Sequence, residues 1–283
     1  MTAIYQEQHT TSSLSETRRQ TSTSDPLFRA EYLIEATLLA LFMISACAVT
    51  VVFQGPLLPL AQTIHSEIER RALVGVAMGL TAITLIYSAW GRRSGAHMNP
   101  AVTLTFFRLG KIKGRDAASY VVAQFIGALA GVATARIVLG KAVASSTVRY
   151  AATYPGDSGA IAAAAAEFLI SMLLMTAVLQ LSSSASLGKF TGLVAGSLVA
   201  LYIMIEAPYS GMSMNPARTF GSALPSGIWH GFWIYLLAPL AGMLTAAEIF
   251  LRVRGCTAVP CCKLYHDSQK HCIFCSTNGG NHE

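Results

Sequence analysis

The sequence predicts an all-α membrane protein with six transmembrane helices plus two re-entrant half-helices in an inverted 3+3 repeat. Three observations predict it. Only 12% of the 283 residues are charged and 53% are hydrophobic, whereas soluble domains carry roughly 25% charged residues. Several nearly uncharged runs reach the ~20 residues that cross a bilayer as a helix, which argues against a soluble enzyme with a greasy core. Finally, Gly-Ala-His-Met-Asn-Pro-Ala-Val-Thr at 95–103 returns as Gly-Met-Ser-Met-Asn-Pro-Ala-Arg-Thr at 211–219, identical at six of nine positions and 116 residues apart. A short polar box repeated in both halves of an apolar chain points to two equivalent segments meeting at one site.

Residues 1–30 form a polar tail. Positions 1–25 hold eleven Ser or Thr and no apolar stretch, too little apolar surface to offset ordering entropy, and nothing that reads as a cleavable leader. The membrane domain runs over 31–251, in two halves at about 31–139 and 159–251. Its spans fall at 31–53, 71–91, 117–139, 159–182, 188–207 and 229–251. Ala, Leu and Met dominate these runs and period-2 alternation is absent, so they read as helices. Residues 54–70 and 140–158 carry Gly, Pro and charges and read as exposed loops. Residues 252–283 form a Cys/His-rich tail.

Segments 92–116 and 208–228 carry the boxes. Each box leads into an apolar run, Val102 to Leu109 and Thr219 to Leu224, that is too short to cross a bilayer and long enough for a half-helix. Pro100 and Pro216 have no N–H to satisfy and a φ suited to the first helical turn. Asn99 and Asn215 then fall at the N-cap, where Asn is favoured. Ala101 and Ala217 follow each Pro. Two such half-helices entering from opposite faces bring their N-termini together near the midplane. Each carries about half a positive charge, which repels a cation or hydronium from both sides. The Asn side chains can donate to a passing oxygen, which suits a neutral solute with lone pairs.

With both termini inside, the inside segments hold fourteen Lys or Arg and the outside segments five, Arg218 in the second box being excluded. That asymmetry predicts cytoplasmic termini in an inner or plasma membrane. The net charge of +6 is thus accounted for by topology, with no nucleic acid expected. A lone acid in the first helix of each half, Glu35 and Glu167, faces protein or water rather than lipid. With three spans per half, the second half enters with opposite orientation.

These residues resemble the aquaporin, or major intrinsic protein, family over roughly 30–251. Further matches are Gln124, Gly127, Pro239 and Gly242. The resemblance implies an aquaporin-like right-handed bundle assembled as a homotetramer in the lipid bilayer, one pore per subunit, conducting water or small neutral solutes without a cofactor. It implies that Glu35 and Glu167 accept hydrogen bonds from backbone N–H groups of the box loops. It also implies an outer selectivity filter built from Arg218, Ile203, Met212 and a helix-two residue, Gly79 by plain spacing from Asn99 or Met78 if Trp90–Ser94 holds an insertion. Ile203 stands where water-selective members have His, the helix-two position has neither Phe nor Trp, and Thr219 stands where glycerol facilitators have Asp, so glycerol, urea and metalloid acids join water as candidate solutes. His97 lies at the cytoplasmic mouth, bonded within its loop or lining the pore.

Five of six cysteines fall in the tail. Cys261, Cys262, Cys272 and Cys275 offer enough ligands for tetrahedral zinc, although the spacing is not that of a standard finger. Acylation near the membrane and a plain reduced tail are the alternatives. Cys47 reads as a small buried apolar residue. No nucleophile–base set suggests an enzyme. A junction or scaffold protein of the same fold, or a coupled secondary transporter, is the alternative to a passive pore.

Overall fold

The computed structural model describes residues 26–56, 59–255, 258–266 and 274. Two units are distinguished, Met1–Ala30 and Glu31–Glu283; the packing and the site described below lie in the second. The polar stretch 1–25 lies outside the described residues.

Among the described residues, six helices are long and apolar enough to cross a membrane. They are built on α1 (Pro26–Gln54), α2 (Glu67–Tyr87), α4 (Gly114–Leu139), α5 (Gly159–Ser182), α6 (Thr191–Ile205), whose span starts in the 3-10 turn Gly188–Phe190, and α8 (Phe232–Arg254). The two half-helices are α3 (Pro100–Arg108) and α7 (Pro216–Ser226). At 1.5 Å per residue they reach about 14 and 16 Å, half of an apolar bilayer core.

The halves interlock. Half-helix α3 packs on α8 of the other half, α7 packs on α4, and α2 lies along α6 as α5 lies along α8. At the end of α3, Arg108 Nη2 meets Glu248 Oε1 in α8 at 2.7 Å. Glycines permit the closest crossings. A Cβ on Gly127 in α4 would lie 2.1 Å from the Ala36 carbonyl in α1, and one on Gly242 in α8 would lie 2.3 Å from the Phe168 carbonyl in α5. Ala36 and Phe168 directly follow Glu35 and Glu167, so the same crossing is built twice. Small residues at such contacts let backbones approach where no hydrophobic effect drives helices together. Large apolar side chains face outward instead, among them Leu33, Leu80, Ile126, Ile137, Leu169 and Leu237, as lipid contact requires.

Two expectations about loops are corrected. The segment 54–70 is not loop throughout: α2 begins at Glu67, four residues before the predicted 71. Ser66 caps it, accepting from the Glu69 N–H at 3.4 Å, with Glu67 and Glu69 in the first turn, where acids favour the helix dipole. Arg70 donates to the Ile64 carbonyl at 2.7 Å and Arg71 lies 3.9 Å from Glu67, so these charges belong to the helix start. The segment 140–158 is not simply exposed either. It folds into two 3-10 turns, Gly140–Ala144 and Arg149–Ala151, and buries Val143, Val148 and Thr153.

Replacing Gly127 with Val should displace α1 from α4, at a cost of about 3 kcal/mol. The expected outcome is a clear drop in melting temperature in detergent, with Gly188→Ala, whose Cβ would sit at an ordinary 3.6 Å from the Leu181 carbonyl, behaving as wild type.

Candidate functional site

The two boxes meet head to head at the centre of the bundle. Asn99 and Asn215 are the N-caps of α3 and α7, with extended backbones at φ −158° and −147° and Pro at the first helical position. The Asn99 Oδ1 accepts from the Ala101 N–H at 2.8 Å. The Asn215 Oδ1 accepts from Ala217 N–H at 3.1 Å and Arg218 N–H at 3.2 Å. The amide nitrogens reach across: Asn99 Nδ2 donates to the Met214 carbonyl and Asn215 Nδ2 to the Met98 carbonyl, each at 2.7 Å. The contact is reciprocal, as an inverted repeat demands.

Each loop is held by its buried carboxylate. Glu35 accepts from the N–H groups of His97 (3.0 Å) and Met98 (2.6 Å), the Ser94 hydroxyl (2.7 Å) and Gln124 Nε2 (3.0 Å). Glu167 accepts from the N–H groups of Ser213 and Met214, both at 2.7 Å, and the Ser210 hydroxyl at 2.6 Å. Both acids are fully buried. The restraint matters because Ala96, Met98, Met212 and Met214 all hold φ between 48° and 55°, a region that disfavours residues with a Cβ.

Sequence reasoning missed part of this frame. Ser94 and Ser210 precede the box glycines, and each hydroxyl both donates to the carboxylate and accepts a loop N–H, from Ala96 at 3.2 Å and Met212 at 3.1 Å. The Tyr120 and Tyr235 hydroxyls donate to the Ser94 and Ser210 carbonyls at 2.7 and 2.6 Å. Extending the repeat by one residue would have found the serines; the tyrosines stand near the same 116-residue offset.

The boxes line a cavity of about 930 Å³. On α2 its wall is Arg70, Val74, Met78, Ala82 and Ile86, one face at i, i+4 spacing over about 24 Å. On α6 it is Ala195, Val199 and Ile203; Met212, Arg218 and His97 also contribute. Of the two helix-two alternatives, Met78 lines the cavity. Gly79 faces α6 instead, where a Cβ would lie 2.6 Å from the Gly196 carbonyl. Plain spacing from Asn99 misleads because the short helix Ala89–Ser94, capped by Ser88, lies between α2 and the box. Arg218 is placed in the wall by α7, and its Nη1 has no hydrogen-bond partner among the described residues.

His97 is buried. Its Nε2 lies 2.8 Å from the Cys262 carbonyl and its Nδ1 3.0 Å from the Thr103 hydroxyl. A carbonyl only accepts, so Nε2 carries the proton, and in the neutral ring Nδ1 accepts from Thr103. In the tail, Cys261 and Cys262 are buried, while Cys272 and Cys275 lie outside the described residues. Cys47 is fully buried, as expected.

Fold and site together define a multi-pass membrane protein with a cavity between two inverted halves. A family model described as major intrinsic protein matches residues 22–250, and the chain belongs to that family. It is 32% identical over 207 residues to an Arabidopsis thaliana protein called aquaporin NIP1-2, covering 72% of this chain and 70% of the relative. It is 36% identical over 185 residues to Arabidopsis thaliana aquaporin NIP1-1, covering 64% and 62%. Nodulin-26 of Glycine max is 32% identical over 182 residues, covering 64% and 65%. The chain thus spans 62 to 70% of these relatives' lengths. An aquaglyceroporin structure from Plasmodium falciparum superimposes with a TM-score of 0.66 at 22% identity, over 82% of this chain and 98% of that one, and shares the fold.

One variant probes the frame. Glu167→Gln turns an acceptor toward three donors into a mixed donor and acceptor, and should cost roughly 3 kcal/mol, read as a lower melting temperature.

Proposed function

We propose that this chain is a passive pore for water and small uncharged solutes, assembled as a homotetramer with both termini cytoplasmic. The observation that carries the reading is the reciprocal Asn99–Met214 and Asn215–Met98 clasp at the N-termini of two opposed half-helices. An amide nitrogen has two N–H bonds. One of each pair bonds the opposite loop, and the other serves a solute oxygen on the cavity wall. The helix dipoles place positive potential at the same point from both sides, where little water screens it. Cations are repelled there, and a file of waters is oriented away from proton relay.

Met78, Ile203, Met212 and Arg218 form the selectivity filter in this reading. The guanidinium repels cations and donates to the solute. The other three walls are apolar, two of them flexible thioethers. Such a filter admits solutes with a carbon or metalloid face, so glycerol, urea and undissociated metalloid acids join water. The names of the plant aquaporins and of the aquaglyceroporin support the class of solute. The Lys and Arg asymmetry supports the orientation, and the outward apolar faces support lipid and subunit contact. No chemical reaction is assigned to the cavity.

Stopped-flow swelling of proteoliposomes in sorbitol and then glycerol tests the reading. Water flux should exceed that of empty vesicles severalfold, without any ion gradient. Ile203→His, which narrows the filter and adds a donor, should cut glycerol flux roughly tenfold while sparing water. Water flux equal to that of empty vesicles would overturn the proposal.

A further inference from the structure

The cavity ends differently at its two mouths. Toward the start of α2 its wall is charged and polar, with Arg70, Arg149, Tyr154 and Asp157. Toward the end of α2 it runs past Ile86 and His97 to Leu264, which is not part of the six-helix bundle at all. Leu264 comes from the segment beyond α8.

That segment folds back on the bundle. Gly255, at φ 80°, ends α8 and turns the chain. Val259 and Cys262 are then fully buried, and Cys261, Lys263 and Leu264 nearly so. Leu264 N–H donates to the Gly95 carbonyl at 3.2 Å, and the Cys262 carbonyl accepts from His97 Nε2 at 2.8 Å. Both partners belong to the first box loop. The Tyr265 ring meets Tyr87, at the end of α2, edge to face at 5.2 Å. Gly95 leaves room for the strap: its φ is 101°, and a Cβ there would lie 3.4 Å from the Lys263 Cα.

We propose that Val259–Tyr265 is an autoinhibitory strap that narrows the tail-side mouth of the pore without sealing it, so that the docked chain keeps a reduced flux, with Leu264 as its constriction and the Gly95 and His97 contacts as its latch. The inference rests on the pore reading above. An isobutyl side chain offers a solute no hydrogen bond at the point where it must re-enter bulk water. Hydrogen bonds to Gly95 and His97, the Tyr87 ring contact and a buried apolar foot are among the contacts that hold the strap. Its release leaves the centre of the bundle intact, since neither carboxylate frame nor Asn clasp uses a strap atom. Thermodynamically, anything that binds the released tail better than the docked one widens the mouth.

The test uses the full-length chain in proteoliposomes. Leu264→Ala shortens the constricting side chain and keeps both backbone hooks. Val259→Asp places a charge in the buried foot and unseats the strap. Water and glycerol permeability should rise severalfold in both, and maleimide labelling of Cys262, located by mass spectrometry, should accelerate in Val259→Asp. If both variants match a wild type that itself exceeds empty vesicles, the pore reading stands and the strap as a gate is overturned. If wild type and both variants all match empty vesicles, the pore reading fails and takes the gate with it. Faster labelling of Cys262 without any rise in flux would also overturn the gate.

Discussion

Two buried carboxylates hold the centre of this protein in place. Glu35 and Glu167 each accept two consecutive loop N–H groups. Those loops contain four non-glycine residues at positive φ, each a strain of order 1–3 kcal/mol. Without an acceptor of fixed position the loops would relax, the N-caps would tilt, and the reciprocal Asn bonds would open. A buried acid is expensive in a membrane unless its lone pairs are filled. Here loop amides and serine hydroxyls fill them, and Gln124 adds a further bond to Glu35. The strain of the loops and the desolvation of the acids are thus offset by the same hydrogen bonds.

The inverted repeat multiplies this solution. Each half contributes one carboxylate, one serine hinge, one tyrosine brace and one half-helix, and each half-helix packs on the other half's last span. Neither half can bury its box loop alone. Two elements break the symmetry. The segment 140–158 reaches the cavity from one face, through Arg149 and Tyr154. The segment after α8 reaches it from the other, through Leu264. These are the parts of the wall that the repeat does not specify, and they make the two mouths chemically different.

Much of the site was legible because it depends on local chemistry. Asn-Pro at a helix start reads the same in any context, and a lone Glu in an apolar span needs donors wherever it sits. The start of α2 was legible in principle from Ser66, Glu67 and Glu69, but hydropathy weighed the charges more heavily than the cap. Met78 was legible only as the alternative to Gly79. The choice between them depended on packing, which sets Gly79 against the Gly196 carbonyl of α6 and leaves Met78 on the cavity. The partner of His97 was also hidden, since it is a backbone carbonyl 165 residues away, and a carbonyl carries no sequence signature.

By itself the sequence determined the membrane class, the six spans, the two half-helices and a lone acid in the first span of each half, while the service of those acids to the box loops came only with the family resemblance. The former follow from length, hydropathy, capping preference and repetition, which act over a few residues or between two copies of one pattern. Only the tertiary structure decided which side chains face the cavity, which hydroxyls complete each carboxylate, and where the chain after the last span comes to rest. Those outcomes rest on how helices rotate against one another and on backbone atoms shared by every residue type, and neither is written in the order of the side chains.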